Sequence, residues 1–136
     1  MTEVLEPEQQ RFLEDHQWGI LATVSAAGAP QQSMVGYVAD AQGRIVVSTK
    51  AYTAKWRNVL ARPQVSLAVV DGHAHLAIAG CAEAIDAEPE RAELSADVFA
   101  RLAGADRPDP ASLVDTLDEQ QRTVIRITPA KANFHE

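Results

Sequence analysis

The period of apolar and polar positions changes several times along the chain, and each change marks a predicted element. A short helix is predicted over residues 8–15, with Phe12 and Leu13 facing inward. Gly36 lies inside one of the strands that follow, and indicates a bulge or the close approach of another group. Five runs rich in apolar and β-branched residues, bounded by turn residues, predict strands over 18–25, 31–40, 44–49, 64–71 and 73–86.

A second short helix is predicted between the third and fourth strands. Thr53 is a suitable N-cap, and Trp56, Val59 and Leu60 recur at i, i+3 and i+4, which gives the helix one apolar face. Pro63 ends the helix, because proline disfavours helical geometry in the residue before it.

A helical pair is predicted over about 88–121, ahead of the last strand. Its first helix begins near Pro89 and carries Leu94, Val98 and Leu102 at i, i+4 and i+8, one stripe along the helix. The second helix begins after Asp109–Pro110 and carries the apolar residues Leu113, Val114 and Leu117.

The last strand is predicted over 122–128, ended by Pro129. Hairpin turns such as Asp71–Gly72 join most of the strands, so the strands pair antiparallel, and six of them avoid open edges by closing into a barrel. The predicted fold class is therefore α+β, mainly β: a six-stranded antiparallel barrel with short helices. We expect a single domain over 1–136, with the helical pair inserted before the last strand.

Composition limits the class of protein. The chain has 136 residues, 46% apolar and 23% charged, which is typical of a globular protein. It has no apolar run of membrane-spanning length and begins with an acidic stretch unlike a signal peptide. A single cysteine, Cys81, suits a reducing compartment and is interpreted as a small buried apolar residue. The predicted location is cytoplasmic, with no membrane partner.

Charge is unevenly distributed. The net charge is −7, yet residues 16–39 contain no Asp, Glu, Lys or Arg, and residues 41–70 contain five bases and no acid. An acidic chain is poorly suited to long nucleic acid, so no nucleic-acid partner is predicted. A small basic site for a compact anion fits better, with a lightly charged core region as the alternative.

The bases concentrate in the stretch VVSTKAYTAKWRN, residues 46–58, around the first turn of the second helix. Hydroxyl groups, free helical N–H groups and cations together favour a phosphate. This combination predicts a phosphate cradle, and the alternative is a solvated basic face without a ligand. The residues that supply it are Ser48, Thr49, Lys50, Thr53, Lys55 and Arg57.

Motifs of hydrolases, P-loop proteins and zinc proteases are absent from the sequence. His73 and His75 lie two apart on one predicted strand and would share a face. Two imidazoles can ligate a metal, but no further ligands are evident, so no metal site is predicted and contact with a ligand or a partner subunit is favoured. Trp18 and Trp56 are assigned to the core.

Two segments, GILATVSAAGAPQQSMVGYV and IVVSTKAYTAKWRNVLARPQVSLAVV, resemble the pyridoxamine-phosphate-oxidase-like split β-barrel flavoproteins. The likeness covers about residues 9–86, with a looser fit at the last strand. Within this superfamily the chain is most similar to the small reductases that use the deazaflavin coenzyme F420. The informative motifs are LAT–turn–GxPQ and the run from Thr49 to Asn58, which places a lysine six residues after its threonine.

The resemblance implies a homodimer with two cofactor sites in the grooves between subunits. It places Lys55, with Ser48, Thr49 and Lys50, at the cofactor phosphate. The full set of cofactor-binding residues that it implies is Gln32, Ser33, Met34, Val35, Ser48, Thr49, Lys50, Thr53, Ala54, Lys55, Arg57, Asn58 and His75.

Some residues depart from the flavin-oxidising relatives. Ser33 and Ala54 stand where those relatives commonly have arginine, which favours F420 over FMN. His75 and Ala77 occupy the positions of a glutamine and an arginine that bind pyridoxamine phosphate, so oxidation of that substrate is not expected.

The leading hypothesis is a reductase that transfers hydride from reduced F420 to a small electrophilic organic molecule. An FMN-dependent oxidoreductase and a non-catalytic protein that binds a cofactor or a tetrapyrrole are the alternatives. The cofactor would supply the reactive carbon, so the sequence needs no acid/base pair. Tyr37, His73 and His75 are the candidate proton donors or substrate contacts.

Overall fold

Six strands and four α-helices make up residues 4–136, the part of the chain that the computed structural model describes. The first three residues of the predicted domain lie outside this part. In chain order the elements are α1 (Pro7–Glu14), β1 (Trp18–Val24), β2 (Pro30–Ala39), β3 (Ile45–Lys50), α2 (Ala54–Ala61), β4 (Gln64–Asp71), β5 (Ala74–Ile85), α3 (Glu90–Ala103), a 3₁₀ turn (Pro110–Leu113), α4 (Val114–Glu119) and β6 (Arg122–His135). Within residues 4–136, no helix is both long and apolar enough to cross a bilayer.

The strands form a closed barrel in the order β1-β2-β3-β6-β5-β4, and every neighbouring pair is antiparallel. Pairing of β1 with β4 closes the barrel. This confirms the predicted mainly-β antiparallel barrel with short helices. The helical segment α3–α4 connects β5 to β6.

The pairing of β2 with β3 is short. It consists of three residue pairs, from Tyr37–Val47 to Ala39–Ile45. The preceding part of β2, Pro30–Gly36, pairs along one edge with β1. Among the described strands, none pairs with the other edge of that part, so the wall of the barrel opens between β2 and the end of β3. We call this opening the slot.

Inward-facing side chains from all six strands fill the barrel. Burial of these apolar groups is the main favourable term in folding. Trp56 and Val59 of α2 join this core at one end, as predicted. The largest fully buried side chains include Leu21, Tyr37, Val47, Leu67, Ile78 and Ile125.

Three apolar side chains lie elsewhere than predicted. Leu60 is 60% exposed because α2 is rotated to bury Asn58 beside Val59, which carries Leu60 past the edge of the buried face. Trp18 is 55% exposed, since it starts β1 on the outward phase of the strand. Cys81 is exposed on β5, in the outward phase, rather than buried.

Asn58 fastens α2 to the barrel. Its Nδ2 donates to Thr23 Oγ1 on β1 (3.0 Å) and to Gln31 Oε1 on β2 (2.7 Å). Arg62 extends the attachment, because its Nε donates to the carbonyl of Val24 at 2.7 Å. The helix is therefore held against the β1–β2 hairpin by polar contacts as well as by Trp56.

The last strand does not end before Pro129 but continues to His135. Gly80 pairs with Pro129 while Ala79 pairs with Lys131, which leaves Ala130 as an extra residue in β6. Proline has no N–H to donate, and strands accommodate it at such bulges. The sequence prediction was wrong here because it treated Pro129 as a terminator.

Gly36 marks a close approach rather than a bulge. A Cβ on Gly36 would lie 2.5 Å from Leu102 Cδ1, so glycine lets α3 pack directly on β2. The predicted stripe on α3 is confirmed: Val98 is fully buried, and Leu94 and Leu102 pack against the same cluster. Gly104 ends α3 with φ of 62°, the left-handed geometry that glycine favours.

We expect Gly80→Ala to lower the free energy of unfolding by about 1–3 kcal/mol, as overpacking does. The added Cβ would lie 2.6 Å from the carbonyl oxygen of Thr128, which is backbone and cannot turn away. Gly36→Ala is the matched control, since its Cβ would meet the mobile end of Leu102 and should cost less. Urea denaturation of both variants measures the difference, and an equal or reversed order would contradict this account of the bulge.

Replacement of Asn58 by alanine should also lower the free energy of unfolding by about 1–3 kcal/mol, because the buried hydroxyl of Thr23 and the side-chain amide of Gln31 lose their donor. Ala61→Ser, at an exposed position in the same helix, is the control and should change stability little. Thermal and urea unfolding check the prediction. Full stability in Asn58→Ala would show that these contacts do not hold α2.

Candidate functional site

The slot meets the N-terminus of α2. Thr53 caps this helix: its Oγ1 accepts from the N–H of Trp56 at 3.4 Å and donates to the carbonyl of Lys50 at 2.8 Å. Thr49 Oγ1 lies 3.2 Å from Thr53 Oγ1, which ties the cap to β3. The N–H groups of Ala54 and Lys55 have no carbonyl one turn earlier to bind, so they are available to an anion.

Strand alternation divides the predicted binding residues between two faces. Ser33 and Thr49 lie on the inward phase. Val35 is on that phase too and is only 4% exposed, so its side chain belongs to the core and only its backbone can contact a ligand. The outward phase carries Gln32, Met34, Ser48 and Lys50.

Most bases of residues 41–70 have intramolecular partners. Arg44 pairs with Asp40 at 2.7 Å, and Arg62 donates to Val24. Arg57 donates from Nη1 to the carbonyl of Tyr52 at 2.8 Å.

The two lysines differ from these arginines. Lys50 Nζ lies 5.8 Å from the centre of the Tyr52 ring. Neither Lys50 nor Lys55 forms an ion pair or a side-chain hydrogen bond with any residue in the described range 4–136. Of the bases in residues 41–70, these two lysines are therefore the ones left for an anion at the slot.

Arg122 adds a cation that the sequence did not indicate. It is the register partner of Lys50, and its Nη1 donates to Ser48 Oγ at 3.3 Å. Its Nε donates to Gln120 at 2.7 Å, and its guanidinium lies 5.7 Å from the centre of the Phe99 ring. The pairing of β3 with β6 brings it here from 72 positions beyond Lys50.

Two other predicted cofactor contacts have different surroundings. Asn58 is 6% exposed and is occupied by Thr23 and Gln31, so its role in the described structure is to hold α2. Ala54 is exposed at the first position of α2. At this position it can offer a ligand its unpaired backbone N–H, while its methyl group supplies no polar contact.

Tyr37 does not qualify as a proton donor. Its side chain is fully buried, and its hydroxyl donates to the carbonyl of Leu13 at 2.6 Å. Burial raises the pKa of this phenol above its usual value. A substrate at the slot cannot reach it, so the structure corrects this assignment.

The two histidines are not brought to the slot within one chain. His73 lies in the β4–β5 turn, since Asp71 pairs with Ala74, and therefore does not share a strand face with His75. His75 points outward from β5, which β6 separates from β3 and which β4 and β1 separate from β2. A single site that contains His75 and Lys55 needs a second copy of the chain.

The outward face of β1, β4 and β5 carries mostly small or apolar side chains, with Lys131 and Asn133 of β6 at its side. A groove of about 470 Å³ runs over it. Met34 is 68% exposed and Val70 is 60% exposed on the same face as Trp18. Residues lining the groove include Ile20, Ala22, Gln32, Ser66, Ala68 and Ala77.

A larger groove of about 760 Å³ lies elsewhere, between α1, the β2–β3 turn and β6. Its lining includes Leu5, Arg44 and Pro129 and none of the predicted site residues. Size alone would select this groove, but the open edge of β2 and the two lysines of the slot lie outside it. The slot therefore remains the candidate site.

The slot suits a planar ligand with an anionic end. The unpaired edge of Pro30–Gly36 offers backbone N–H and C=O groups to a ring with amide edges. Lys55 and the first turn of α2 offer positive charge to a phosphate. These features fit a flavin or a deazaflavin.

Comparisons with solved structures agree with this fold. A conserved hypothetical protein of Mycobacterium tuberculosis is 23% identical, with a TM-score of 0.81 over 100% of this chain and 88% of that chain. An F420 reductase is 23% identical, with a TM-score of 0.73 over 95% of this chain and 98% of that chain. The haem storage protein HutZ of Vibrio cholerae is 23% identical, with a TM-score of 0.68 over 96% and 93% of the two chains.

At these identities the structural likeness shows a common fold and does not identify a ligand. No curated protein matches the chain. The family model described as pyridoxamine 5'-phosphate oxidase matches residues 5–136, almost the entire chain. The chain therefore belongs to the pyridoxamine 5'-phosphate oxidase family of split β-barrel proteins.

Proposed function

We propose that this protein is an oxidoreductase that uses coenzyme F420 to reduce a small electrophilic organic molecule. The observation that carries the proposal is the meeting of an unpaired strand edge with the N-terminus of α2 and the free cation of Lys55. The likeness to an F420 reductase agrees with it. When bound, F420 supplies the carbon that donates hydride.

The residues of the chain bind and orient the cofactor. Lys55 and the N–H groups of Ala54 and Lys55 hold its phosphate, and the backbone of Gln32–Val35 holds its ring. Met34 supplies an apolar surface on the outward side of the slot. Lys50 and Arg122 lie on that side as well, where they attract the negative charge of the ligand.

A homodimer completes this site in our proposal. The outward face with Trp18, Met34 and Val70 is apolar and exposed, and residues 16–39 contribute no charge to it. An exposed apolar face of this kind is typical of a protein contact. A second copy would enclose the slot and would place a copy of His75 near it, which keeps His75 as the candidate proton donor.

FMN dependence is the alternative within the same site. Ser33 and Ala54 provide no positive charge, so Lys55 is the basic group closest to the helix N-terminus for a doubly charged phosphate. Fewer cations favour the phosphodiester of F420 over the terminal phosphate of FMN. A second alternative is tetrapyrrole binding without turnover, which the likeness to a haem storage protein favours.

Titration of the purified protein with F420, FMN and haemin distinguishes these ligands. Fluorescence reports the first two and the Soret band reports haemin. Tight binding of F420 with weak binding of FMN supports the proposal and makes a screen of electrophilic acceptors the next step. Tighter binding of FMN or of haemin would contradict F420 as the cofactor and would assign the preferred ligand to the slot instead.

Lys55→Ala should weaken F420 binding by about 1.5–3 kcal/mol, roughly ten- to 150-fold in Kd, because a charge-assisted hydrogen bond is lost. Arg11→Ala is the matched control, since it removes one positive charge at an exposed position on α1, away from the slot. Fluorescence titration gives both affinities, and circular dichroism checks that the fold is kept. An unchanged Kd in Lys55→Ala would show that Lys55 does not bind the cofactor phosphate.

We expect a dimer in solution and a monomer for Ala77→Arg, because an unpaired charge at an apolar contact costs on the order of 3 kcal/mol. Ala77 lines the groove on the outward face, whereas Ala26 lies in the exposed β1–β2 turn, so Ala26→Arg is the control and should stay dimeric. Light scattering at micromolar concentration measures both. A monomeric unmodified protein, or a dimeric Ala77→Arg, would place the subunit contact elsewhere or exclude it.

A further inference from the structure

Two histidines from distant parts of the sequence meet on the outward face of the barrel. His75 of β5 and His135 of β6 are register partners, so their side chains leave the sheet on the same side. Their ring centres lie 4.9 Å apart, and the ring planes differ by 24°. In a single chain His75 is half-buried and His135 is exposed, and the pair lies at the end of the outward face that the proposed dimer would cover.

His16 has a different environment. In His16 both ring nitrogens have partners: Nδ1 lies 2.7 Å from the carbonyl of Phe12 and Nε2 lies 3.1 Å from Asp71. The Phe12 carbonyl raises the pKa of His16. The rings of His75 and His135 form no hydrogen bond with another residue of the described chain, so their lone pairs are free for a ligand.

We propose that His75 and His135 together bind one divalent transition-metal ion. Neutral imidazoles are ligands for Cu²⁺, Ni²⁺ and Zn²⁺, and rotation about the side-chain torsions can bring one nitrogen of each ring to the ion. The described residues contain no group of three or more metal-ligating side chains, so water or a group from a second copy of the chain would complete the coordination. The acidic chain, with Glu136 beside His135, favours a cation.

The ion would join β5 to the end of β6. β6 extends past its bulge at Ala130 to His135, and the pair lies at the last rung of the β5–β6 ladder. A ligand that binds the folded pair and not the unfolded chain stabilises the fold by mass action. Metal binding and thermal stability are therefore linked through these two residues.

Isothermal titration with CuCl₂, NiCl₂, ZnCl₂ and MgCl₂ tests the proposal on the full chain without an organic cofactor. We expect one ion per chain, with Cu²⁺ bound most tightly and Mg²⁺ not bound, because hard cations prefer oxygen ligands. His75→Ala and His135→Ala should each weaken binding at least tenfold and should abolish the rise in Tm that the metal causes. His73→Ala, in the adjacent turn, is the matched control and should bind as the unmodified protein does.

Absence of binding, binding that survives His135→Ala, or an equal loss in His73→Ala would overturn the two-histidine site. Circular dichroism of each variant separates a lost ligand from a lost fold. The result does not depend on F420, since a protein that binds metal and no deazaflavin would support this proposal and contradict the proposed function.

Discussion

The early end of the β2–β3 ladder is the feature on which the candidate site depends. Three pairs hold these strands together, and beyond Tyr37 the strands separate while β1 keeps its full pairing with β2. The backbone of Pro30–Gly36 therefore remains rigid on one side and open on the other. A ligand can bind this edge without the entropy cost of ordering it, which is the advantage of a preorganised site.

Helix α2 adds charge to this edge at a fixed position. Asn58 and Arg62 attach the helix to β1 and β2, and Thr53 attaches its first turn to β3, so all three strands around the slot contact one short helix. The residues between these anchors present their N–H groups and Lys55 outward. In this part of the molecule, structural polar residues and candidate binding residues alternate within ten positions.

Local patterns predicted the elements well, and long-range pairing explains most of the errors. Thr53, the α3 stripe and the hairpins were predictable because each depends on neighbours within a few positions. Arg122 and the contact of His75 with His135 were not, because strand order decides them. Residue type alone also did not show that Asn58 is a buried anchor rather than a ligand contact. Nor did it show that the Tyr37 hydroxyl is buried against the carbonyl of Leu13 in α1.

The open edge has a consequence for the solubility of the empty protein. Closed barrels avoid aggregation because no strand is left to pair with another chain, yet here seven residues of β2, Pro30–Gly36, keep unpaired backbone groups on one side. In this segment charged side chains, the usual protection of an edge, are missing. Whatever fills the slot also shields this edge, so ligand supply and resistance to self-association are coupled in this fold.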